Sequence, residues 1–218
     1  MNKQISIEQA IEKIEDGMTI MVGGFLAVGS PNKLVDALVE KNVKDLTLIA
    51  NDTAFIDKGV GKLIVNKQVK KVIVSHIGTN KETGRQMNEN ELEVELVPQG
   101  TFVERIRAAG FGLGGVLTPT GVNTIVEEGK KKIEVEGKDY LLETPLKADI
   151  ALLKGETVDK KGNIRYDKTA RNFNPTMATA ADTVIVEADN LVEIGEIDPE
   201  NVITPSLFVD YIVDGGEK

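Results

Sequence analysis

Apolar positions along this chain recur with two periods, and the switches between them outline the elements. Compact apolar runs at 18–22, 46–50, 71–75, 149–153 and 183–187 predict buried strands. Helical spacing takes over between several of them. In 31–41, Leu34, Val35, Leu38 and Val39 share one face, which predicts a helix. Shorter helices are predicted over 60–66 and 82–91. The run 92–97, Leu-Glu-Val-Glu-Leu-Val, alternates as a strand does, with Glu91, Glu93 and Glu95 on a solvated face. Segments 132–136 and 138–142 predict a hairpin turning at Gly137. Two more strands are predicted at 163–166 and 207–213.

Local chemistry marks the helix starts. Ser6-Ile7-Glu8-Gln9 is a capping-box pattern, and Thr101-Phe102-Val103-Glu104 is a second, opening a helix to about residue 109. Ser30 is predicted as the N-cap of 31–41, with Pro31 at the first helical position. Asn174-Pro175 is predicted to cap a short helix reaching residue 181.

Strands alternating with helices predict an α/β fold. The expected architecture is an open, mostly parallel sheet flanked by helices, one domain over 1–218, with a β-hairpin excursion near 132–142. Ligands in such sheets bind beyond the carboxyl ends of the strands. The polar or glycine-rich turns at 23–30, 51–53, 75–80 and 98–101 all follow strands, so they are expected to gather on one edge.

Composition narrows the chemistry. A net charge of -9 argues against a nucleic-acid partner, which calls for a basic face. The absence of cysteine removes disulfides, thiolate nucleophiles and zinc–thiolate sites. His76 is the only histidine, so no histidine-based metal site is expected, and a structural or surface role is expected for it. No signal peptide or membrane span is expected, and a reducing cytoplasm suits the chain. Residues 110–115 spell G-x-G-x-x-G, but a helix is predicted before them where a dinucleotide fingerprint needs a strand, so a packed loop is expected.

The turn 23–30, Gly-Gly-Phe-Leu-Ala-Val-Gly-Ser, carries the strongest hint of a site. Its glycines let backbone approach a ligand and expose N–H groups at a helix N-terminus, where an anion or developing oxyanion can be held. A tight connection needing glycine for backbone angles alone explains it equally well. Gln99 and Asn51 are each turn residues or amide donors to a carbonyl or carboxylate oxygen.

Asp16-Gly17, the apolar run that follows, Gly23-Gly24-Phe25 and Gly29-x-Pro31 together resemble the first signature of the family I CoA-transferases. Ser75-x-x-Gly78-x-Asn80, Glu91–Leu96 with Pro98-Gln99-Gly100-Thr101, Glu104–Ala108 and Ala170-Arg171-Asn172-Phe173-Asn174 agree in order. The chain is most similar to alpha subunits acting on acetate, butyrate or acetoacetate. The resemblance implies ping-pong exchange of CoA between a short-chain acyl-CoA and a carboxylic acid through a glutamyl-CoA thioester. Coenzyme A is then a substrate, and no permanently bound cofactor is expected. The family's nucleophilic glutamate lies in a Ser-Glu-Asn-Gly motif of the beta subunit, and Asn88-Glu89-Asn90-Glu91 does not match it. A beta partner in an α2β2 assembly is therefore implied. Gly24, Phe25, Leu26, Ala27, Val28, Gly29 and Ser30 are implied to line the CoA, Gln99 to donate in an oxyanion hole, and Asn51, Gly78 and Asn80 to meet the acyl substrate. An asparagine is frequent in the ketoacid branch where this chain has Asp52. A non-catalytic small-molecule sensor and a sugar-phosphate isomerase of related fold are the competing functions.

Overall fold

The computed structural model describes residues 3–216. Strands β1 (Thr19–Val22), β2 (Leu46–Ala50), β3 (Val69–Val74), β4 (Glu93–Leu96), β8 (Ala148–Asp159), β10 (Ala181–Val192) and β11 (Tyr211–Asp214) form one sheet. Their order is β11-β10-β8-β1-β2-β3-β4, and every neighbouring pair is parallel. The short β9 (Ile164–Arg165) pairs antiparallel with β8. The chain builds outward from β1 to β4, then returns to the other side of β1 with β8. The β1/β8 boundary is thus the topological switch point, the place where ligands commonly bind in open α/β sheets.

Alternation along each strand feeds two cores. Ile20, Val22, Leu48, Val72, Ile150 and Leu152 face one side with helices α1 (Ile7–Glu12), α2 (Asn32–Lys41) and α3 (Gly61–Val65). Met21, Ile49, Ile73, Ala151 and Leu153 face the other with α5 (Gln99–Gly110) and α6 (Asn174–Met177). A sheet covered on both faces explains why its central strands read as unbroken apolar runs. Helix α4 (Lys81–Asn88) follows β3. The predicted hairpin is present as β6 (Lys132–Val135) and β7 (Lys138–Glu143), turning through left-handed Glu136 and Gly137. A strand not foreseen, β5 (Val116–Thr118), joins β7 to make a separate three-stranded antiparallel sheet.

Several expected boundaries move for physical reasons. The Ser6 capping box forms in full, with Gln9 N–H donating to Ser6 Oγ and Ser6 N–H to Gln9 Oε1. The Thr101 box does not form. Pro98 takes the N-cap position, α5 begins at Gln99, and Thr101 lies inside the helix with its hydroxyl buried and unpaired. Likewise Pro31, not Ser30, is the N-cap of α2, and Ser30 is buried beneath the glycine turn. Asn174 is the first residue of α6, which ends at Met177, and its side chain is used elsewhere. Segment 207–213 holds a short 3-10 turn, Ser206–Phe208, before β11 begins at Tyr211.

The acids beside β4 are less solvated than alternation suggests. Glu95 accepts from Arg105, a side chain 9% exposed, at 2.8 Å, and lies 3.3 Å from Lys71. Arg105 also donates to the Thr144 carbonyl at 2.7 Å and approaches the buried Glu143, which Lys130 meets at 2.6 Å. This cluster ties α5 to both sheets. Among the described residues no helix is long and apolar enough to cross a membrane.

Candidate active site

The turns after β1, β2, β3 and β4 do gather on the carboxyl edge of the sheet, and hydrogen bonds join them. Asn51 follows β2 and is 4% exposed. Its Oδ1 accepts from the Ser75 hydroxyl at 2.8 Å and from Gln99 Nε2 at 3.0 Å. Ser75 follows β3, and its hydroxyl also reaches the Asn51 carbonyl at 2.7 Å. Gln99 is the exposed first residue of α5, so the helix N-terminus adds its positive end beside the amide. Three loops thus place two carboxamides and a hydroxyl together.

The turn after β1 is a tight hairpin. Phe25 and Val28 exchange both backbone hydrogen bonds, at 3.0 and 2.9 Å. Leu26 and Ala27 at its tip are left-handed, with φ of 50° and 66°. Neither is glycine or asparagine, so each costs roughly 1–2 kcal/mol. Surrounding side chains hold this shape. Asp52 accepts from Leu26 N–H at 3.1 Å and from Ala54 N–H at 3.0 Å. Asn172 accepts from Gly24 N–H at 3.1 Å and donates to the Val28 carbonyl at 3.2 Å. Asn174, fully buried, donates to the Gly29 carbonyl at 3.0 Å and accepts from Lys154 N–H at 3.2 Å.

These clamps revise the expected use of the glycines. A Cβ on Gly23 would lie 1.9 Å from Asn174 Oδ1, and one on Gly29 would lie 2.2 Å from the Ala170 carbonyl oxygen. What approaches the turn this closely is the 170–174 segment of the same chain. The N–H groups of Gly24 and Leu26 are occupied and do not form an open anion nest. The N-terminus of α2 is occupied as well. Glu187 of β10, 2% exposed, accepts from Leu34 N–H at 2.9 Å. Burial pushes the Glu187 carboxyl up, against the opposing pull of that hydrogen bond. Burial also raises Asp52, opposed by the amides of Leu26 and Ala54.

Asn80 and Gly78 lie behind this edge. Asn80 is 1% exposed and caps α4, accepting from the N–H groups of Glu82 and Thr83 while donating to the Thr53 carbonyl at 2.9 Å. Gly78 is exposed and packs under the His76 ring, where a Cβ would lie 2.9 Å from the ring. His76 itself is an exposed residue whose carbonyl accepts from Thr53 N–H at 3.3 Å. The structure therefore joins Asn51, Ser75 and Gln99 directly, and links them through Asp52 to the 24–30 turn. Glu187 was not foreseen. It lies 153 positions from Leu34, and no local pattern could signal the pairing. Residues 110–115 begin on the last residue of α5 and lead into β5, so the context for a dinucleotide fingerprint is missing.

Residues 4–215 match the family described as Coenzyme A transferase. The acetate CoA-transferase subunit alpha of Escherichia coli K12 is 56% identical over 216 residues, covering 99% of this chain and 98% of that protein. The acetoacetyl-CoA:acetate/butyrate CoA transferase alpha subunit of Clostridium acetobutylicum is 57% identical over 212 residues, covering 97% of each. An acyl-CoA transferase from E. coli O157:H7, solved as a thioester complex with CoA, superposes with a TM-score of 0.90 at 22% identity. It matches all of this chain, which spans 48% of that longer polypeptide. Glutaconate coenzyme A-transferase from Acidaminococcus fermentans superposes with a TM-score of 0.85 at 20% identity, covering 97% of this chain and 75% of that one. The chain described here belongs to the coenzyme A transferase family.

Proposed function

We propose that this chain is the alpha subunit of a short-chain CoA-transferase and forms the donor-bearing wall of a shared active site. One observation carries the proposal. The edge that gathers Asn51, Ser75 and Gln99 presents amide donors, while its carboxylate, Asp52, has both oxygens engaged by backbone N–H groups. Such a wall can stabilise negative charge but offers no free carboxylate nucleophile. The glutamate that attacks the thioester is supplied by a beta subunit.

In this reading, the partner's carboxylate oxygen adds to the thioester carbonyl carbon. The carbonyl π pair moves to oxygen, where Gln99 donates to it. Collapse expels CoA thiolate and leaves an acyl–glutamyl anhydride. The thiolate then adds to the glutamyl carbonyl and releases the first acid. The second acid regenerates the anhydride in reverse and leaves as its CoA ester. Asn51 orients the acyl group, and the strained 25–28 hairpin shapes the side facing CoA. Names of the similar proteins support acetate, butyrate or acetoacetate as the acids. An acyl-CoA substrate and a cysteine-free chain suit the cytoplasm.

The test is reconstitution. Co-expression with a chain carrying Ser-Glu-Asn-Gly is expected to give an α2β2 complex that moves CoA from acetyl-CoA to butyrate or acetoacetate. The chain alone is expected to be inactive. Robust transfer by the single chain, or a complex without transfer, would sink the proposal.

A further inference from the structure

We infer that Ser75 is a positioning residue that sets which atom of the Asn51 carboxamide faces the cleft. The inference rests on reading the 51–75–99 edge as the site for the acyl group.

A carboxamide presents two nearly isosteric ends of opposite hydrogen-bonding character, so its neighbours decide its polarity. Around Asn51, two donors converge on Oδ1: the Ser75 hydroxyl at 2.8 Å and Gln99 Nε2 at 3.0 Å. Among the described residues no acceptor lies within hydrogen-bond reach of Asn51 Nδ2, and this atom is not sealed from solvent. With Oδ1 held by two donors, Nδ2 is the end of the amide left for a ligand.

Ser75 has one proton and two acceptors, Asn51 Oδ1 and the Asn51 carbonyl at 2.7 Å. The proton serves one of them at a time. When it serves Oδ1, Nδ2 faces the cleft as a donor. When it turns to the carbonyl, a hydroxyl lone pair is free to receive a flipped amide, and Oδ1 would face the cleft instead. An anionic ligand needs donors and selects the first arrangement. Gln99 turns with Asn51, because its amide bonds to whichever end points back. The three side chains therefore act as one unit of coupled polarity, with the serine hydroxyl as its pivot.

The assembled complex tests this. Ser75→Ala is expected to lower kcat about tenfold with little change in KM or melting temperature, since one hydrogen bond is lost and no cavity of consequence opens. Ser75→Thr, which keeps the hydroxyl, is expected to restore most of the rate. The double variant Ser75→Ala/Asn51→Ala is expected to be no slower than Asn51→Ala alone, because Ser75 acts through Asn51. Additive losses, or a wild-type rate in Ser75→Ala, would overturn the inference. A second readout does not need turnover. The side-chain 15N–1H amide signals of Asn51, identified by their loss in Asn51→Ala, are expected to shift in Ser75→Ala. Unmoved signals refute the role even if the complex transfers CoA. Absence of transfer by the wild-type complex would instead remove the proposed function.

Discussion

Gln99 and the 24–30 turn illustrate two kinds of importance at the residue scale. Gln99 is exposed and its removal disturbs no packing, so under the proposed function its loss is felt in charge stabilisation. Loss of one oxyanion donor costs roughly 10²–10³ in turnover. Gln99→Ala is therefore expected to lower kcat by about a hundredfold while native mass and melting temperature stay put, as steady-state kinetics and light scattering would record. Gly29 is the opposite case. Its φ is 72°, and an added Cβ would press on the Ala170 carbonyl oxygen at 2.2 Å. Gly29→Ala is expected to lose about 3 kcal/mol in urea unfolding, from the left-handed backbone and the collision with backbone that cannot yield. Activity should fall with it, because the same collision displaces the hairpin.

At the scale of elements, the Arg105 cluster joins α5 to β4 and to the connection after β7. Arg105→Met leaves Glu95 and the 2%-exposed Glu143 short of a partner. Removing one member of a buried charge cluster costs about 3–5 kcal/mol. A loss of unfolding free energy in urea smaller than about 1 kcal/mol would show that Lys130 and Lys71 suffice. Elements also show where sequence patterns carry information. The Ser6 box was legible because its partners are three residues apart and nothing overrides them. The Thr101 box has the same pattern and fails, since Pro98, with φ of -51° and ψ of 132°, already supplies the extended residue that a helix start requires. Strand β5 was hidden in a glycine-rich stretch, as its pairing with β7 rather than its own three residues makes it a strand. The parallel sheet itself was legible, because strands buried on both faces leave compact apolar runs. Asn51 and Gln99 were legible as polar residues just past strand ends. Asn172 and Asn174 serve the turn, and Glu187 the helix after it, through pairings across 144 positions or more, beyond the reach of any local signal.

For the whole molecule, acidity acts in two opposite directions. The folded pKa of Glu187 is raised, so its ionisation opposes folding: the contribution is full below the ordinary carboxylate value and is lost as pH rises through the folded value. Glu187→Gln does not titrate. The stability of the native chain relative to this variant is expected to decline as pH rises above about 4.5. Glu82 and Glu91 behave oppositely. Hydrogen bonds from Arg85 lead in pulling both carboxyls down to about 2. Their contribution is present above the ordinary carboxylate value and is lost as pH falls towards 2. The stability gap between the native chain and Arg85→Gln should therefore close over that acid range. Denaturant titrations at a series of pH values would read both slopes, and a gap that widens on acidification would refute the second.

The Asn172 clamp has a consequence for the order in which the molecule is made. Gly24 and Asn172 are 148 positions apart, yet one fixes the other. A ribosome adding about 5–20 residues per second exposes the glycine segment some 7–30 s before its clamp emerges. The 25–28 hairpin thus waits through most of synthesis with Asp52 as a brace but without Asn172. A nascent chain arrested short of residue 170 would hold six of the sheet's eight strands without the means to finish the site.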